Sequence, residues 1–261
     1  MKKAKFFFRG VVILLFVLIV AAVVAVGFFL DGIVKKSVET VGPKITQTPV
    51  TLNAVHLSLF VGSASVKELV LGNPAGYKSS FAISVGTADV GMNPLSIGSD
   101  KIVIRSVHVE APEITFEGNP LSKNNLGDIM DNVDHAVKNG GPPAAGTNTV
   151  AIARNKPAKK IEVDDLVING AKVHALLPSV GNFSGRELTL TLPQIHLTNL
   201  GKDGDGITAT ELTRAILNAI TTATIKAVAD AGLDKGLKNF SGGAGKGIDQ
   251  IKKSVDSLLG K

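Results

Sequence analysis

The pattern of apolar and polar positions begins with one uninterrupted apolar stretch. The segment "VVILLFVLIVAAVVAVGFFL", from Val11 to Leu30, holds 20 residues and no charge. At about 1.5 Å per residue a helix of this length spans about 30 Å, the thickness of a bilayer core. The pattern therefore predicts a transmembrane helix whose ends are Val11 and Leu30.

A cleaved signal peptide is the competing interpretation of this stretch. Its apolar region is usually shorter, about 7 to 15 residues, and a small-residue cleavage site follows it. Here the stretch ends in Gly27-Phe28-Phe29-Leu30, with no such site after it, which favours an uncleaved anchor. Basic residues precede the helix, so we expect the N-terminus in the cytoplasm and the bulk of the chain on the other side of the membrane.

Two groups of alternating segments predict about nine β-strands. The first group covers Val50 to Phe60, Ala64 to Leu71, Phe81 to Met92, and residues 101–118, which Pro112 divides into two strands. The alternation slips by one residue at Asn53-Ala54, which is typical of a β-bulge. The second group is "KIEVDDLVING", "AKVHALLP", "RELTLTL" and "PQIHLTNL", between residues 160 and 200.

Four segments have helical spacing instead. They are Asp31 to Val41, which ends at the stop signal Gly42-Pro43, residues 122–138, Ile207 to Ala231, and Ile248 to Leu259. The third begins with Thr208 and Glu211, which fit a capping box. The last could lie on a membrane surface or pack on the protein's own sheet, and its lack of large aromatic residues favours packing.

These elements predict an α+β fold that is mainly antiparallel β. An N-terminal transmembrane helix precedes a curved β-sheet or β-groove of about nine strands with helices packed on it. Residues 1–30 form the basic flank and the anchor, and residues 31–138 form a first β-rich part. Residues 139–160, rich in Gly, Pro, Ala and Asn, predict a flexible linker. Residues 161–261 form a second β-rich part with C-terminal helices, which we assign to the same domain.

Composition removes several classes of function. The chain of 261 residues has no cysteine, which excludes disulfides, thiolate metal sites and a cysteine nucleophile. The net charge is +6, but Lys2, Lys3, Lys5 and Arg9 supply four of these charges. The remaining surface is nearly balanced in charge, so we predict no nucleic-acid partner.

No motif in the sequence indicates catalysis or a metal. His56, His108, His174 and His196 lie in alternating segments and His135 in a helical one, and no two have the spacing of a local metal site. The segment "GKDGDGITATE" lacks the first and last ligands of a calcium loop, and "SGGAGKG" lacks the spacing of a phosphate loop. We therefore predict a non-enzymatic protein without catalytic, metal-binding or cofactor-binding residues and without a cofactor.

The order of these pieces resembles the start of bacterial AsmA-like proteins. After the anchor come "LGNPAGY", "VGMNPLSI", "VHVEAPEITFE" and "NNLGDIM". The resemblance covers roughly residues 1–131 and suits a short, single-module member. Its characteristic phrase here consists of Val107, Val109, Pro112, Ile114, Phe116, Glu117, Asn125 and Leu126.

The resemblance implies a single-pass protein of the bacterial inner membrane, with a cytoplasmic N-terminus and a periplasmic bulk. It implies a role in lipid handling or in outer-membrane and envelope homeostasis, with phospholipid and other envelope proteins as candidate partners. In this family the sheet curls into a groove lined by apolar side chains. The candidate groove residues here are Leu57, Leu59, Ile83, Val85, Ile102, Ile104, Val107, Val109, Ile114 and Phe116.

Two alternatives stay open at this point. The same apolar face could be an ordinary core covered by the later helices. The whole chain could also be a tethered structural or interaction β-sandwich, similar to late-embryogenesis-abundant proteins, which also place Asn-Pro turns after strands. Nine strands at about 4.8 Å extend only about 43 Å, so we do not expect the chain to bridge two membranes.

Overall fold

The computed structural model describes residues 30–120, 122–140, 159–177 and 186–237, without the side chains of residues 186 and 232–237. Most of the predicted anchor, residues 141–158 of the predicted linker, and the segment Ile248 to Leu259 lie outside the described residues. Within the described ranges, no helix combines the length and hydropathy needed to cross a bilayer.

The described chain forms one mixed, mostly antiparallel sheet of nine strands and three helices, which confirms the predicted α+β class and the strand number. Helix α1 is described from residue 30 to residue 46, and the other two helices are α2, Asn125–Lys138, and α3, Ala209–Leu237. The strands are β1 Val50–Ser58, β2 Ser63–Leu71, β3 Ile83–Met92, β4 Lys101–Glu110, β5 Glu113–Glu117, β6 Lys160–Asn169, β7 Lys172–Leu177, β8 Arg186–Thr191 and β9 Ile195–Leu200.

The strand pairing shows that six of the nine strands are halves of three longer ones. Strand β3 pairs with β2 on one edge, and on its other edge with β5 near its start and β4 near its end. Strands β4 and β5 pair in parallel with β6 and β7, which in turn pair with β9 and β8. The sheet is therefore a single layer of six long strands and does not divide into the two layers of a sandwich.

One row across the sheet interrupts all six long strands, either as a gap in the pairing or as a break between two strands. Asn53, Glu68 and Gly86 interrupt the pairing of β1, β2 and β3 in one row. The same row continues through the breaks between β4 and β5, β6 and β7, and β8 and β9. We call this row the bend line. Its members are Asn53, Glu68, Gly86, Ala111, Gly170 and Pro193.

The bend line explains why the apolar alternation slips by one residue. In a regular strand such a slip would move every following side chain to the other face of the sheet. Here Ile114 and Val173 on one side of the line and Leu166 and Ile168 on the other belong to one hydrophobic core. Because the slip falls on this row in each long strand, both halves of the sheet direct their apolar residues into the same core.

Helices α2 and α3 cover this core. Buried side chains from both, including Ile129, Val133, Leu217 and Ile220, pack against the sheet. The Asn124 side chain caps α2 by accepting a hydrogen bond of 2.8 Å from the Gly127 N–H.

The start of α3 confirms the predicted capping box. The Glu211 carboxylate accepts hydrogen bonds from the Thr208 N–H at 2.7 Å and the Thr208 hydroxyl at 2.9 Å. The Glu211 N–H donates in return to the Thr208 hydroxyl oxygen at 3.1 Å. Two N–H groups at the start of the helix, which have no partner within it, are thereby satisfied.

The predicted end of α1 is wrong by about one turn. The helix continues past Gly42-Pro43 to residue 46, because the following groups close the turn. The Gln47 N–H donates to the Pro43 carbonyl at 3.0 Å, and the Thr46 hydroxyl donates to the Gly42 carbonyl at 3.0 Å. Gly42 serves close packing instead of ending the helix, since a Cβ there would lie 2.9 Å from the Val50 side chain.

Helix α1 lies along the open edge of β1 and runs antiparallel to it. Asp31 accepts from the Leu57 N–H at 2.8 Å, Lys35 donates to the Asn53 carbonyl at 2.9 Å, and Glu39 accepts from the Leu52 N–H at 3.2 Å. These three side chains are four residues apart, so they share one face of the helix. They satisfy backbone groups that an uncovered edge strand would present to other chains.

Candidate functional site

The ten residues predicted to line an apolar groove do not lie together on an open surface. Ile83, Ile114 and Phe116 are buried within the hydrophobic core. Four more are partly buried and pack against that core: Val85, Ile104, Val107 and Val109. Leu57, Leu59 and Ile102 are partly buried outside it. Most of this apolar face is therefore in contact with the protein's own core.

An open depression lies instead on the opposite, outer face of β1 to β4, with a volume of about 540 Å³. The alternate residues of these strands, among them Val55, Ala64 and Ala88, are buried on the inner side. Two rows of directly opposed residues, one from each strand, form its floor. The first row is His56, Ser65, Asp89 and His108, and the second is Ser58, Ser63, Gly91 and Ser106. We call this depression the polar trough.

The β-sheet sets the spacing of the polar trough. Neighbouring strands lie about 4.8 Å apart, so His56 and His108, three strands apart, are separated by about 14 Å along the row. Gly91 leaves room in the second row for the Ser106 hydroxyl, because a Cβ on Gly91 would lie 2.7 Å from that oxygen. The site is thus wide and shallow. Four serine hydroxyls and two imidazoles lie along its floor, and it is also lined by apolar residues, which are Leu57, Ala64 and Val90.

Two carboxylates accompany these groups. Asp89 lies between Ser65 and His108 in the first row, and Asp31 of α1 approaches His56 from the sheet edge. The distance from Asp31 Oδ2 to His56 Nδ1 is 3.8 Å. The trough therefore offers hydrogen-bond donors to anionic oxygens at both ends and a carboxylate to a cation near its middle.

The order of residues in the first row differs from that of a nucleophilic triad. A nucleophilic triad needs an imidazole between the hydroxyl and the carboxylate, whereas the first row places Ser65 between His56 and Asp89. In the part of the chain that the structure describes, no hydrogen bond joins His108 to Asp89 or to Ser106. Among the described residues, no group of three or more His, Asp or Glu side chains could hold a metal ion.

A second depression, of about 270 Å³, lies beside the Asn73-Pro74 turn, and Tyr77 and Ser79 line it. The Tyr77 hydroxyl donates to Asp128 of α2 at 2.8 Å. Burial, this hydrogen bond and the negative charges of Asp128 and Glu117 raise the pKa of Tyr77. The hydroxyl is consequently a fixed donor that holds the loop to the helix.

Glu117 fastens the same loop to the end of β5. Burial favours its protonated form, but the Ser79 hydroxyl and the N–H groups of Ser79 and Lys78 all donate to its carboxylate. These hydrogen bonds outweigh the burial and hold the pKa of Glu117 below its usual value. The second depression is therefore part of a structural junction.

Sequence reasoning missed the polar trough because its residues are far apart in the chain. His56 and His108 have no local spacing that links them, and only the register of β1 to β4 brings them into one row. The available signal was the polar phase of each strand: His108 falls between Val107 and Val109, which places it on the face opposite to these apolar residues. Register between strands cannot be derived from one strand's alternation.

Comparison with known proteins adds no relative, since no family model matches the chain and no curated protein matches it either.

Proposed function

We propose that the chain is a short AsmA-like protein, anchored in the bacterial inner membrane by residues 11–30, whose periplasmic part handles lipid at the membrane surface. The basic flank before the apolar stretch supports this orientation. The role is non-enzymatic and serves the homeostasis of the envelope. Phospholipid is the proposed ligand, and other envelope proteins are the proposed partners.

The polar trough is the observation that carries the lipid-handling role. Its rows of hydroxyl and imidazole groups suit a phosphate or glycerol oxygen, and Asp89 suits an ammonium group. This chemistry matches the headgroup of a zwitterionic phospholipid. The proposal places headgroup binding on the outer face of the sheet and does not need the apolar face to be open.

A second candidate function is a tethered structural or interaction domain that binds no lipid. The burial of Ile83, Ile114 and Phe116 beneath the protein's own helices favours it, since those side chains then serve only stability. The two candidates differ in whether the polar trough holds a lipid.

Native mass spectrometry of the full chain in a mild detergent tests the proposal. We expect a phospholipid adduct that falls several-fold in the double variant His56→Ala/His108→Ala. The matched control is His174→Ala, which removes an imidazole on β7, outside the polar trough. If lipid is held only around the anchor, the amount of bound phospholipid will be equal in the original chain, the double variant and the control. That result would reject headgroup binding in favour of the interaction domain.

The anchoring part has a separate test. The full chain should stay in the membrane fraction after alkaline carbonate washing. Because the chain has no cysteine, a single Gly204→Cys change in the exposed turn after β9 gives one labelling site. Labelling by an impermeant maleimide in cells with a permeabilised outer membrane is expected, and labelling only after lysis would contradict the orientation.

A further inference from the structure

One end of the sheet carries all of the large hydrophobic side chains that are exposed in the described part of the chain. The exposed fractions are 37% for Ile33, 80% for Phe60, 76% for Val61 and 90% for Leu95. Ile33 lies near the start of the described part of α1, and Phe60 and Val61 form the turn between β1 and β2. Leu95 lies in the short 3₁₀ turn between β3 and β4. We call these four residues the apolar tip.

Backbone contacts hold the two turns of the apolar tip side by side. The Met92 N–H donates to the Gly62 carbonyl at 2.7 Å. Gly62 has φ of 72°, and a Cβ there would lie 2.8 Å from the Pro94 ring. Only glycine fits this conformation and this approach readily, so the two turns are adjacent and fixed relative to each other.

The antiparallel packing of α1 brings its start to the same end. Asp31 contacts the Leu57 N–H near the end of β1, whereas Glu39 contacts Leu52 farther down the strand. Residue 30, where the uncharged stretch Val11 to Leu30 ends, therefore enters the folded part beside the apolar tip.

We infer that the apolar tip inserts into the interface of the membrane in which the anchor lies, with the lipid bilayer as its partner. Single exposed apolar residues are ordinary on a protein surface, but a group of them at one end indicates a contact. The apolar stretch is attached at that end, so the bilayer is the apolar medium that the tip would meet. This inference rests on the proposed anchoring by residues 11–30.

Charges around the tip agree with a lipid surface. The Lys159 amine lies at the short 3₁₀ turn that carries Leu95, where it donates to the Ile97 carbonyl at 2.5 Å. Lys36 is exposed farther along α1, beside Lys35, which contacts Asn53 in the middle of β1. Long basic side chains at this level reach phosphate groups while their stems stay in apolar surroundings. Asp100, just before β4, and Asp203 and Asp205, in the turn after β9, are exposed acidic residues of the same end. They limit the contact to the α1 side of the sheet and the strongly exposed Leu95.

Insertion of the tip would also position the polar trough. Its second row, with Ser58 and Ser63, directly adjoins the turn that carries Phe60 and Val61. With the tip at the interface, the trough would lie at the level of the lipid headgroups. The tip thus gives the proposed headgroup site access to its ligand.

A single-tryptophan experiment on the full chain in liposomes tests this inference. The chain contains no tryptophan, so Phe60→Trp and Leu95→Trp each introduce one emission source. We expect a blue-shifted emission and quenching by brominated phospholipids at both positions. The control is Tyr77→Trp, in the loop after β2 at the other end of that strand, where we expect quenching to be several-fold weaker. Val61→Cys, labelled with a polarity-sensitive dye, provides an independent readout.

The outcomes separate this inference from the proposed anchoring. A chain that is washed from the liposomes by carbonate contradicts both. A retained chain whose residues 60 and 95 are quenched no more than residue 77 contradicts only the tip. A tryptophan that is shielded from soluble quenchers but not quenched by brominated lipid would indicate a second copy or another protein as the partner, and would also overturn the inference.

Discussion

At the residue scale, one buried amide connects the Asn73 turn to the core. Asn125 is fully buried, and its side chain accepts from the Glu117 N–H at 2.9 Å. It also donates to the Thr115 carbonyl and the Asn73 side chain, each at 2.7 Å. A buried polar group is stable only when it is bonded in this way. The Asn-Pro turn therefore ends β2 and also joins the loop to α2.

Tyr77→Phe tests the other contact between this loop and α2, the hydrogen bond from Tyr77 to Asp128. The loss of the hydroxyl removes its hydrogen bond to Asp128, and we expect the free energy of unfolding to fall by about 1 kcal/mol. Chemical denaturation of the detergent-solubilised chain, followed by circular dichroism, measures the change. Membrane retention and lipid binding should be unchanged, because Tyr77 lies outside the polar trough.

The control for this prediction is a double-mutant cycle. In an Asp128→Asn background, Tyr77→Phe should cost clearly less than in the original chain, since the charged partner is already absent. Equal costs in both backgrounds would show that the loss comes from packing of the ring and not from the hydrogen bond.

At the scale of the elements, the bend line includes unusual backbone angles in three of the six long strands. Glu68, Ala111 and Gly170 have φ of 51°, 45° and 60°. Ala111 is linked across the line by its N–H, which donates to the Asn169 carbonyl at 2.8 Å. A side chain in this left-handed region costs about 1–2 kcal/mol relative to the usual conformation. The gain from one continuous core offsets that cost.

Replacing Ala111 by glycine should therefore stabilise the protein. The relief of about 1–2 kcal/mol exceeds the cost of about 0.4–1 kcal/mol from the greater freedom of glycine in the unfolded chain. The matched control is Ala88→Gly in β3, which has no such angle and should destabilise. Denaturation midpoints measure both changes, and a loss of stability for Ala111→Gly would contradict the role assigned to its backbone.

The capping box of α3 predicts an acid-sensitive contribution to stability. Hydrogen bonds from the N–H and the hydroxyl of Thr208 lower the pKa of Glu211 against the opposing effect of burial. Because the folded-state pKa is lowered, the contribution is present above the usual glutamate pKa of 4.5 and is lost as the pH falls through the lower folded value.

We expect Glu211→Gln to lower the stability at pH 7. The variant should then lose less additional stability than the original chain as the pH falls from 5 to 3. Thermal unfolding measured across this pH range checks the prediction. The control Glu187→Gln removes an exposed carboxylate of β8 and should leave the pH dependence nearly unchanged. A parallel response of the two variants would show that the capping carboxylate is not the group that titrates.

At the scale of the whole molecule, the two β-rich parts share one sheet and one core. Strands β4 and β5 of the first part pair in parallel with β6 and β7 of the second. Helix α2 of the first packs on α3 of the second, where Arg214 and Asp134 form an ion pair at 2.5 Å. The shared sheet and the contact between α2 and α3 therefore hold the two parts together, and the connection through residues 139–159 is not required for this.

Cleavage of that connection should leave the protein assembled. We expect a chain with a protease site inserted between residues 141 and 158 to remain a single species in size-exclusion chromatography after cutting. Both fragments should separate only in denaturant. Fragments that separate without denaturant would contradict the shared core and would indicate two independent domains.

Several features could be predicted from the sequence because they depend on local contacts. The periods of two and of about 3.6 residues placed all nine strands and the three described helices, and the spacing of Thr208 and Glu211 identified the capping box. The predicted end of α1 was wrong because Gly42 allows close packing against Val50, a residue of the following strand, and does not end the helix. A local signal cannot distinguish these two uses of glycine.

By itself, the sequence determined the type and order of the elements, the slip at Asn53, and the polar phase of each strand. Only the tertiary structure decided that the slips form one bend line, that most of the predicted groove residues lie in or against the core, and that His56 and His108 share a row. The physical reason is the range of the interactions. Alternation and capping act between near neighbours, whereas register and burial also depend on residues far apart in the chain, such as those of β4 and β6, which meet only when the sheet has formed.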